Sequence, residues 1–211
     1  MVDQFLMGRL RNFIYLITIG NEAMVIDPQA DLSPWEKKLT ERGAHLTGVL
    51  LTHTHWDHVE GVPAVAAKYP NAKMYVHESD SFRLEKYTDE VRARFVFIKD
   101  GDKICLGNQT IEVLHTPGHS AGECCYMISQ SPPLLFTGDT VFVNEVGRTD
   151  LETGSTAELF ATLQRLKKLP PETIIYPGHD YGKTVTSTIA RESAESAAFR
   201  CQTIEELHAL P

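Results

Sequence analysis

Apolar residues occur in short runs along most of the chain, and these runs predict a β-rich protein with helices between and after the strands. Short apolar or alternating runs that are bounded by Gly, Pro, Asn or Asp are typical of strands. The predicted strands are residues 13–19, 23–26, 48–51, 73–77, 95–98, 103–105, 110–114, 123–128, 134–137 and 173–176.

Helices are predicted at residues 33–42, 62–69, 156–168, 183–198 and 204–210. In the third of these segments Leu159, Leu163 and Leu166 recur at helical intervals. Strands grouped ahead of and between helices favour a layered α/β (α+β) sandwich. No linker-like, low-complexity or repeated segment divides the 211 residues, so a single domain spanning 1–211 is predicted.

The segment 53–58, which closely follows the apolar run 49–51 in sequence, contains four residues that can bind a metal: His53, His55, Asp57 and His58. Without a cation, protonated imidazoles at this spacing would repel each other, and neutral ones would each need a separate hydrogen-bond partner. Neutral imidazoles and ionised carboxylates are ligands that divalent metals take readily. The segment therefore predicts a metal site at the end of a strand.

Three later segments share one pattern, an apolar run, a glycine and then a ligand-type residue: His119, Asp139 and His179. Glycine lets the backbone turn sharply and approach closely, so each ligand would stand at the end of a strand. We expect the three to converge on the 53–58 segment. Seven ligands are too many for one tetrahedral ion and suit two ions that share Asp139 or a water.

The ligands divide into two sets of three with Asp139 between them. One set is His53, His55 and His119, and the other is Asp57, His58 and His179. A bound divalent ion lowers the pKa of water toward about 7 and so makes hydroxide available at neutral pH. Two such ions favour attack of hydroxide on a carbonyl, and a thioester suits this chemistry because thiolate is a good leaving group.

The order His-x-His-x-Asp-His, then a distant His, an Asp and a final His, resembles the metallo-β-lactamase-fold superfamily over residues from about 5 to 181. Segments 52–58, 116–119 and 136–140 are most similar to the glyoxalase II group, the hydroxyacylglutathione hydrolases. Segments 147–150 and 179–181 are more similar to the persulfide dioxygenases, which hold one iron. The resemblance implies a four-layer αββα sandwich with a dinuclear site at one edge, holding zinc in the first instance, or iron or manganese.

Two functions follow from this resemblance. The first is a metal-dependent hydrolase that cleaves a hydroxyacylglutathione-like thioester by a metal-bound hydroxide, with two divalent ions and with Asp57 orienting the hydroxide. The alternative is a mononuclear iron persulfide dioxygenase acting on glutathione persulfide. A non-catalytic metal-binding module is a third interpretation, although structural zinc sites are closed and use four ligands, often cysteine.

Three residues are candidates for contacting the substrate, which is expected to be a small thiol carrier such as a glutathione conjugate. Arg148 and Tyr181 match glyoxalase II positions that touch glutathione, and Lys183 lies just beyond. An ion pair between Arg148 and Asp150 is the alternative for the first. Trp56 is expected to pack beneath the site. A second copy of the chain, in a homodimer, is the alternative way of completing the pocket.

Composition excludes some classes of partner. The net charge of −8 argues against binding to nucleic acid, which rewards a basic surface. No apolar run approaches the length of a membrane span, and residues 1–11 lack a signal-peptide pattern. The four cysteines include adjacent Cys124 and Cys125, which give no disulfide framework. A cytoplasmic location is therefore expected.

Overall fold

The computed structural model describes residues 1–210, in which twelve strands form two six-stranded sheets. The first sheet has its strands in sequence order, and β3, β4, β5 and β6 run parallel to one another. Its strands are β1 (Val2–Met7), β2 (Asn12–Ile19), β3 (Glu22–Ile26), β4 (His45–Leu50), β5 (Lys73–His77) and β6 (Phe95–Ile98).

The second sheet has the order β12-β11-β10-β9-β8-β7 and is antiparallel except for the parallel pair β10 and β11. Its strands are β7 (Lys103–Leu106), β8 (Gln109–His115), β9 (Cys124–Ile128), β10 (Leu134–Gly138), β11 (Ile174–Pro177) and β12 (Ser187–Thr188).

Helices cover the outer face of each sheet. The helices are α1 (Ser33–Glu41), α2 (Val62–Lys68), α3 (Asp89–Arg92), α4 (Thr156–Leu166), α5 (Ile189–Glu195), α6 (Ala197–Arg200) and α7 (Ile204–His208). A 3₁₀ helix, Glu78–Leu84, follows β5. Within residues 1–210, no helix combines the length and the apolar character that crossing a bilayer requires.

The alternation of β2 shows how the layers form. Phe13 and Ile17 belong to the core between the two sheets, where they join Phe136 of the second sheet. Ile14 and Leu16 point to the opposite face and belong to the outer core of the first sheet. Since successive side chains of a strand alternate between faces, a strand buried on both sides needs apolar residues at nearly every position.

The two outer cores complete a helix–sheet–sheet–helix arrangement. Trp35 of α1 and Val62 of α2 pack on the first sheet. Leu159 and Leu163 of α4, with Phe199 of α6, pack on the second sheet. The predicted layered α/β sandwich is therefore confirmed.

The predicted helix 183–198 is wrong in its first part. Ser187 and Thr188 instead form β12, which pairs with β11, and α5 begins only at Ile189. The Thr188 hydroxyl accepts a hydrogen bond from the Arg191 backbone N–H, which satisfies a free donor at the start of the helix. The helix then breaks at Ser196, where α6 begins on an extended residue.

Candidate metal centre

The ends of four strands bring the predicted ligands to one edge of the sandwich. In the first sheet β4 ends at Leu50, just before the 53–58 segment. In the second sheet β8 ends at His115, shortly before His119. In the same sheet β10 ends at Gly138, directly before Asp139, and β11 ends at Pro177, just before His179. Gly138 has a φ of +49°, a left-handed conformation that glycine adopts without strain. Because β10 and β11 are parallel, their carboxyl ends meet at the same edge.

Hydrogen bonds join the two sheets at this edge. The Phe13 backbone N–H donates to the Gly178 carbonyl at 2.7 Å, beside His179. The Cys124 N–H of the second sheet donates to the Thr52 carbonyl at 2.8 Å, beside His53. These contacts fix the ligand-bearing turns of one sheet against those of the other.

Six of the seven predicted ligands lie in the two sets of three that the sequence indicates. The donor atoms of His53, His55 and His119 lie within 4.8 Å of one another, as do those of Asp57, His58 and His179. In the first set, His55 Nδ1 lies 2.9 Å from His119 Nε2. In the second set, the Nε2 atoms of His58 and His179 are 3.1 Å apart. Such spacings are close to those between nitrogen ligands of one small cation.

Asp139 lies between the two sets. Its Oδ1 is 3.3 Å from Nε2 of both His58 and His179. Its Oδ2 is 3.5 Å from His119 Nε2. One carboxylate thus offers one oxygen to each set, which is the arrangement needed of a bridging ligand.

Backbone carbonyls fix the tautomers of two ligand rings. His119 Nδ1 lies 2.8 Å from the Arg148 carbonyl oxygen, and His179 Nδ1 lies 2.9 Å from the Leu10 carbonyl oxygen. A carbonyl can only accept, so Nδ1 carries the proton in each ring. In the neutral ring this leaves Nε2, which faces the centre, as the nitrogen that can bind a metal.

A buried carboxylate and a hydroxyl orient two other ligand rings. His58 Nδ1 lies 2.9 Å from Asp27 Oδ2. The Thr52 hydroxyl donates to Asp27 at 2.6 Å, which leaves its oxygen free to accept from His53 Nδ1 at 3.1 Å. His53 Nδ1 also lies 3.2 Å from Glu123 Oε2. These contacts direct Nε2 of His53 and of His58 toward the centre.

Glu123 connects two ligand-bearing segments, although the sequence analysis did not select it. It is fully buried, and its Oε1 accepts from the Asp139 backbone N–H at 3.0 Å while its Oε2 faces His53. Burial raises the pKa of the Glu123 carboxyl well above its usual range, and the Asp139 carboxylate adds to this. A charged residue at the entry to the apolar strand β9 was the only signal in the sequence.

The electrostatics of the site favour a cation. Burial lowers the pKa of His53 well below its usual value, and burial lowers the pKa of His55 to about 4, with neighbouring imidazoles adding to both effects. Both rings are therefore neutral at neutral pH, as metal binding requires. Burial alone would lower the pKa of His58, but the carboxylates of Asp139 and Asp27 raise it well above its usual value.

Two buried polar atoms without hydrogen-bond partners are consistent with a metal ion bound by these residues. His53 Nε2 and Asp139 Oδ1 are buried and lack any hydrogen-bond partner. Leaving a buried polar atom unpaired costs about 1–3 kcal/mol, so such atoms call for a ligand. A divalent ion in each set would satisfy these atoms with ligands of the types that it prefers.

Comparison with known proteins agrees with this geometry. Residues 7–179 match the family model of the metallo-beta-lactamase superfamily. The chain belongs to the metallo-β-lactamase superfamily. The fold of this superfamily binds divalent metals, in keeping with the two ligand sets.

Relatives within the metallo-β-lactamase superfamily include hydrolases. A probable polyketide biosynthesis zinc-dependent hydrolase, PksB from Bacillus subtilis, is 36% identical over 176 residues, which cover 82% of this chain and 75% of the relative. A hydroxyacylglutathione hydrolase from Francisella tularensis subsp. novicida is 35% identical over 179 residues, which cover 84% of this chain and 66% of the relative. The crystal structure of ETHE1 from Myxococcus xanthus superposes with a TM-score of 0.84 at 28% identity, covering 100% of this chain and 92% of that one.

The candidate metal centre opens into a cavity of about 890 Å³. Arg148 and Tyr181 line it, whereas Lys183 is exposed and is not among its lining residues. Arg148 makes the alternative contact considered above, a two-bond ion pair with Asp150 at 2.6 Å. Trp56 is 57% exposed and lines the cavity, so the expectation that it packs beneath the site is wrong.

Aromatic packing ties Tyr181 to the centre. Its ring stacks on His179 with centroids 4.8 Å apart and packs edge-on against Phe142 at 5.1 Å. Arg83, which the sequence analysis did not select, also lines the cavity and lies near His55. The cavity therefore places aromatic and cationic groups around the ligands.

Proposed function

We propose that this chain is a two-metal hydrolase that cleaves the thioester of a small thiol carrier, of the hydroxyacylglutathione type. The observation that carries the proposal is the position of Asp139, with Oδ1 3.3 Å from both His58 and His179 and Oδ2 3.5 Å from His119. A carboxylate so placed suits a pair of ions rather than one. The names of the Bacillus and Francisella relatives support hydrolysis, and the Francisella name supports the substrate class.

A pair of divalent ions held by the two sets would supply hydroxide at neutral pH and draw electron density from the substrate carbonyl. Around them, Asp57 lies at the cavity wall, where its Oδ2 accepts from Asn12 Nδ2 at 2.9 Å. This bond holds the carboxylate in one orientation. From there Asp57 would orient the attacking hydroxide toward the carbonyl carbon of the substrate.

The cavity wall would receive the thiol carrier. Tyr181 presents a phenol beside the ligand His179, and its hydroxyl can donate a hydrogen bond to an amide or carboxylate of the carrier. Arg148 can bind a carboxylate of the carrier if its ion pair with Asp150 breaks. That ion pair is exposed to solvent and therefore weak. We retain Lys183 as a contact only for a carrier that extends beyond the cavity.

A second candidate is a mononuclear iron dioxygenase that acts on glutathione persulfide. The likeness to the ETHE1 structure supports it. His53, His55 and His119 could bind the iron, or two histidines with Asp139 could form the two-histidine, one-carboxylate triad that non-haem iron oxygenases use. This function would need only the first ligand set with Asp139, so the second set would be dispensable for metal retention.

The two functions are separated by metal content and products. The chain reconstituted with zinc or with ferrous iron is assayed for ions per chain, for thiol release from a hydroxyacylglutathione, and for oxygen uptake with glutathione persulfide. We expect two ions per chain and thiol release. One iron per chain with oxygen uptake and no thiol release would overturn the proposal.

A histidine variant with a matched control sharpens this test. His179→Ala removes a ligand of the second set, so we expect it to lose one ion and thioester cleavage together. His45→Ala changes an exposed histidine in β4 and should leave both unchanged. Full cleavage by His179→Ala would contradict the two-ion assignment.

A further inference from the structure

Asp80 is a carboxylate with no exposed surface, and it lies outside every ligand-bearing segment. It belongs to the 3₁₀ helix Glu78–Leu84, for which the sequence pattern predicts no element. Burying an ionised carboxylate is costly unless hydrogen bonds or an opposite charge offset the loss of water. The groups that Asp80 contacts therefore indicate its role.

The hydrogen bonds of Asp80 all go to two short segments. Its Oδ2 accepts from the Thr54 N–H at 3.0 Å, from the Thr54 hydroxyl at 3.2 Å and from the Ser120 hydroxyl at 3.0 Å. Its Oδ1 accepts from the Gly122 N–H at 2.9 Å. Arg83, whose side chain is 14% exposed, supplies the opposite charge with Nη1 at 3.5 Å from Oδ1.

These two segments carry the whole first ligand set. Thr54 stands between His53 and His55, and Ser120 directly follows His119. Among residues 1–210, the Asp80 side chain makes no hydrogen bond to Asp57, His58 or His179, or to the residues directly beside them in sequence. The Asp80 carboxylate is thus hydrogen-bonded to both of the turns that carry the three histidines of the first ligand set.

We propose that Asp80 is a positioning residue for the first metal site, fixing the 53–55 turn against the 119–122 turn. The inference rests on the proposed two-metal function, because it assigns Asp80 to one of the two ions. Metal ligands must be held within a few tenths of an ångström, and loss of a group that orients them typically costs 10–100-fold in metal affinity. The expected effect is therefore selective for one ion.

The test is metal titration of Asp80→Asn and of the wild-type chain, each stripped of metal and then loaded with zinc against a competing chelator. Asparagine is isosteric, but only one of its two terminal atoms can accept, so either Gly122 or the pair Thr54 and Ser120 faces an amide donor. We expect the affinity for one ion to fall 10–100-fold. The affinity for the other ion should stay within about twofold of wild type. Loading with cobalt(II) and recording the visible absorption of each bound ion distinguishes the two sites.

Two further variants make the result decisive. Ser120→Ala removes one of the hydrogen bonds to Asp80, so we expect a smaller fall in affinity for the same ion. Asp89→Asn changes a carboxylate that is 86% exposed and should behave as wild type. If Asp80→Asn does not fold, the Ser120→Ala titration decides: a selective fall supports the inference, and an unchanged affinity overturns it.

The outcomes separate this inference from the proposed function. Two ions bound with wild-type affinity by Asp80→Asn would overturn the role of Asp80 alone. Equal weakening of both ions, with a lower melting temperature of the metal-free variant, would also overturn it, because the residue would then be a general stabiliser. A wild-type chain that binds no ion would overturn the proposed function and this inference together.

Discussion

Replacing Asp27 by Asn should weaken the second metal site and destabilise the protein. The Asp27 carboxylate is buried and accepts from the Thr52 N–H at 2.8 Å and from the Thr52 hydroxyl at 2.6 Å, and it lies 2.9 Å from His58 Nδ1. Asp27 has a φ of +48°, a left-handed conformation that Asn also tolerates. The substitution therefore changes the hydrogen bonding and charge while leaving the backbone unstrained.

The magnitude follows from the donors that Asn cannot satisfy. One terminal atom of Asn is an amide donor, so either the Thr52 N–H or His58 Nδ1 loses its acceptor inside the protein. An unsatisfied buried group costs about 1–3 kcal/mol, and the charge-assisted bond to His58 is also lost. We expect the free energy of unfolding of the metal-free protein to fall by about 2–3 kcal/mol. The affinity of the second site should fall 10–100-fold.

The pH dependence has a defined sign. The carboxylates raise the pKa of His58 in the folded protein, although burial opposes them. Such a group contributes stability that is fully present below the unfolded histidine pKa of about 6.5 and is lost as pH rises through the folded value. In the metal-free protein, the loss of free energy of unfolding caused by Asp27→Asn should therefore be largest below about pH 6.5. The loss should become smaller at higher pH.

Urea unfolding followed by circular dichroism measures the stability, and chelator competition measures the affinities. Asp89→Asn again provides the exposed control. A stability within about 0.5 kcal/mol of that control, with both ions bound at wild-type affinity, would refute the reasoning. Asp27→Asn should weaken the second ion more than the first, because Asp27 contacts His58 directly and reaches His53 only through the Thr52 hydroxyl. Asp80→Asn should weaken the first ion.

Three further changes test packing, thiol chemistry and substrate contact. Gly178→Ala would place a Cβ 2.6 Å from Asp139 Oδ1. We expect the stability measured by calorimetry to fall by about 1–3 kcal/mol and the metal occupancy to fall with it. Wild-type stability and occupancy would contradict this close approach. Burial raises the pKa of the Cys125 thiol to about 12. A thiol reagent at pH 8 should therefore label exposed Cys105 rapidly and Cys125 only after unfolding. Equal labelling rates for the two thiols would contradict this expectation. Tyr181→Phe should raise KM about fivefold with kcat nearly unchanged, and an unaltered KM would remove Tyr181 from the substrate site.

The ligand set could be predicted from sequence because its signals are local. Each ligand after the 53–58 segment follows a buried run and a glycine, and those runs became strands that end at one edge of the sandwich. The edge strand β1 was missed because its residues are only partly buried and show no clear alternation. The predicted helix over 183–198 was wrong in its first part, where the mostly β-branched run 184–188 favours a strand and Ser187 and Thr188 pair with β11.

The residues that orient the ligands could not be predicted, since their partners are distant in sequence. Asp27 contacts His58, 31 positions away, and Asp80 contacts Ser120, 40 positions away. Nothing in the composition around either aspartate distinguishes it from a solvated surface residue. Only the fold shows that Asp27, Asp80 and Glu123 are buried beside ligand turns.

The most direct test of the two-ion centre is anomalous X-ray diffraction at the zinc edge from crystals of the zinc-loaded chain. Two peaks roughly 3.5–4 Å apart are expected, one beside His53, His55 and His119 and one beside Asp57, His58 and His179, with Asp139 reaching both. A single peak, or no peak among these seven side chains, would contradict the account.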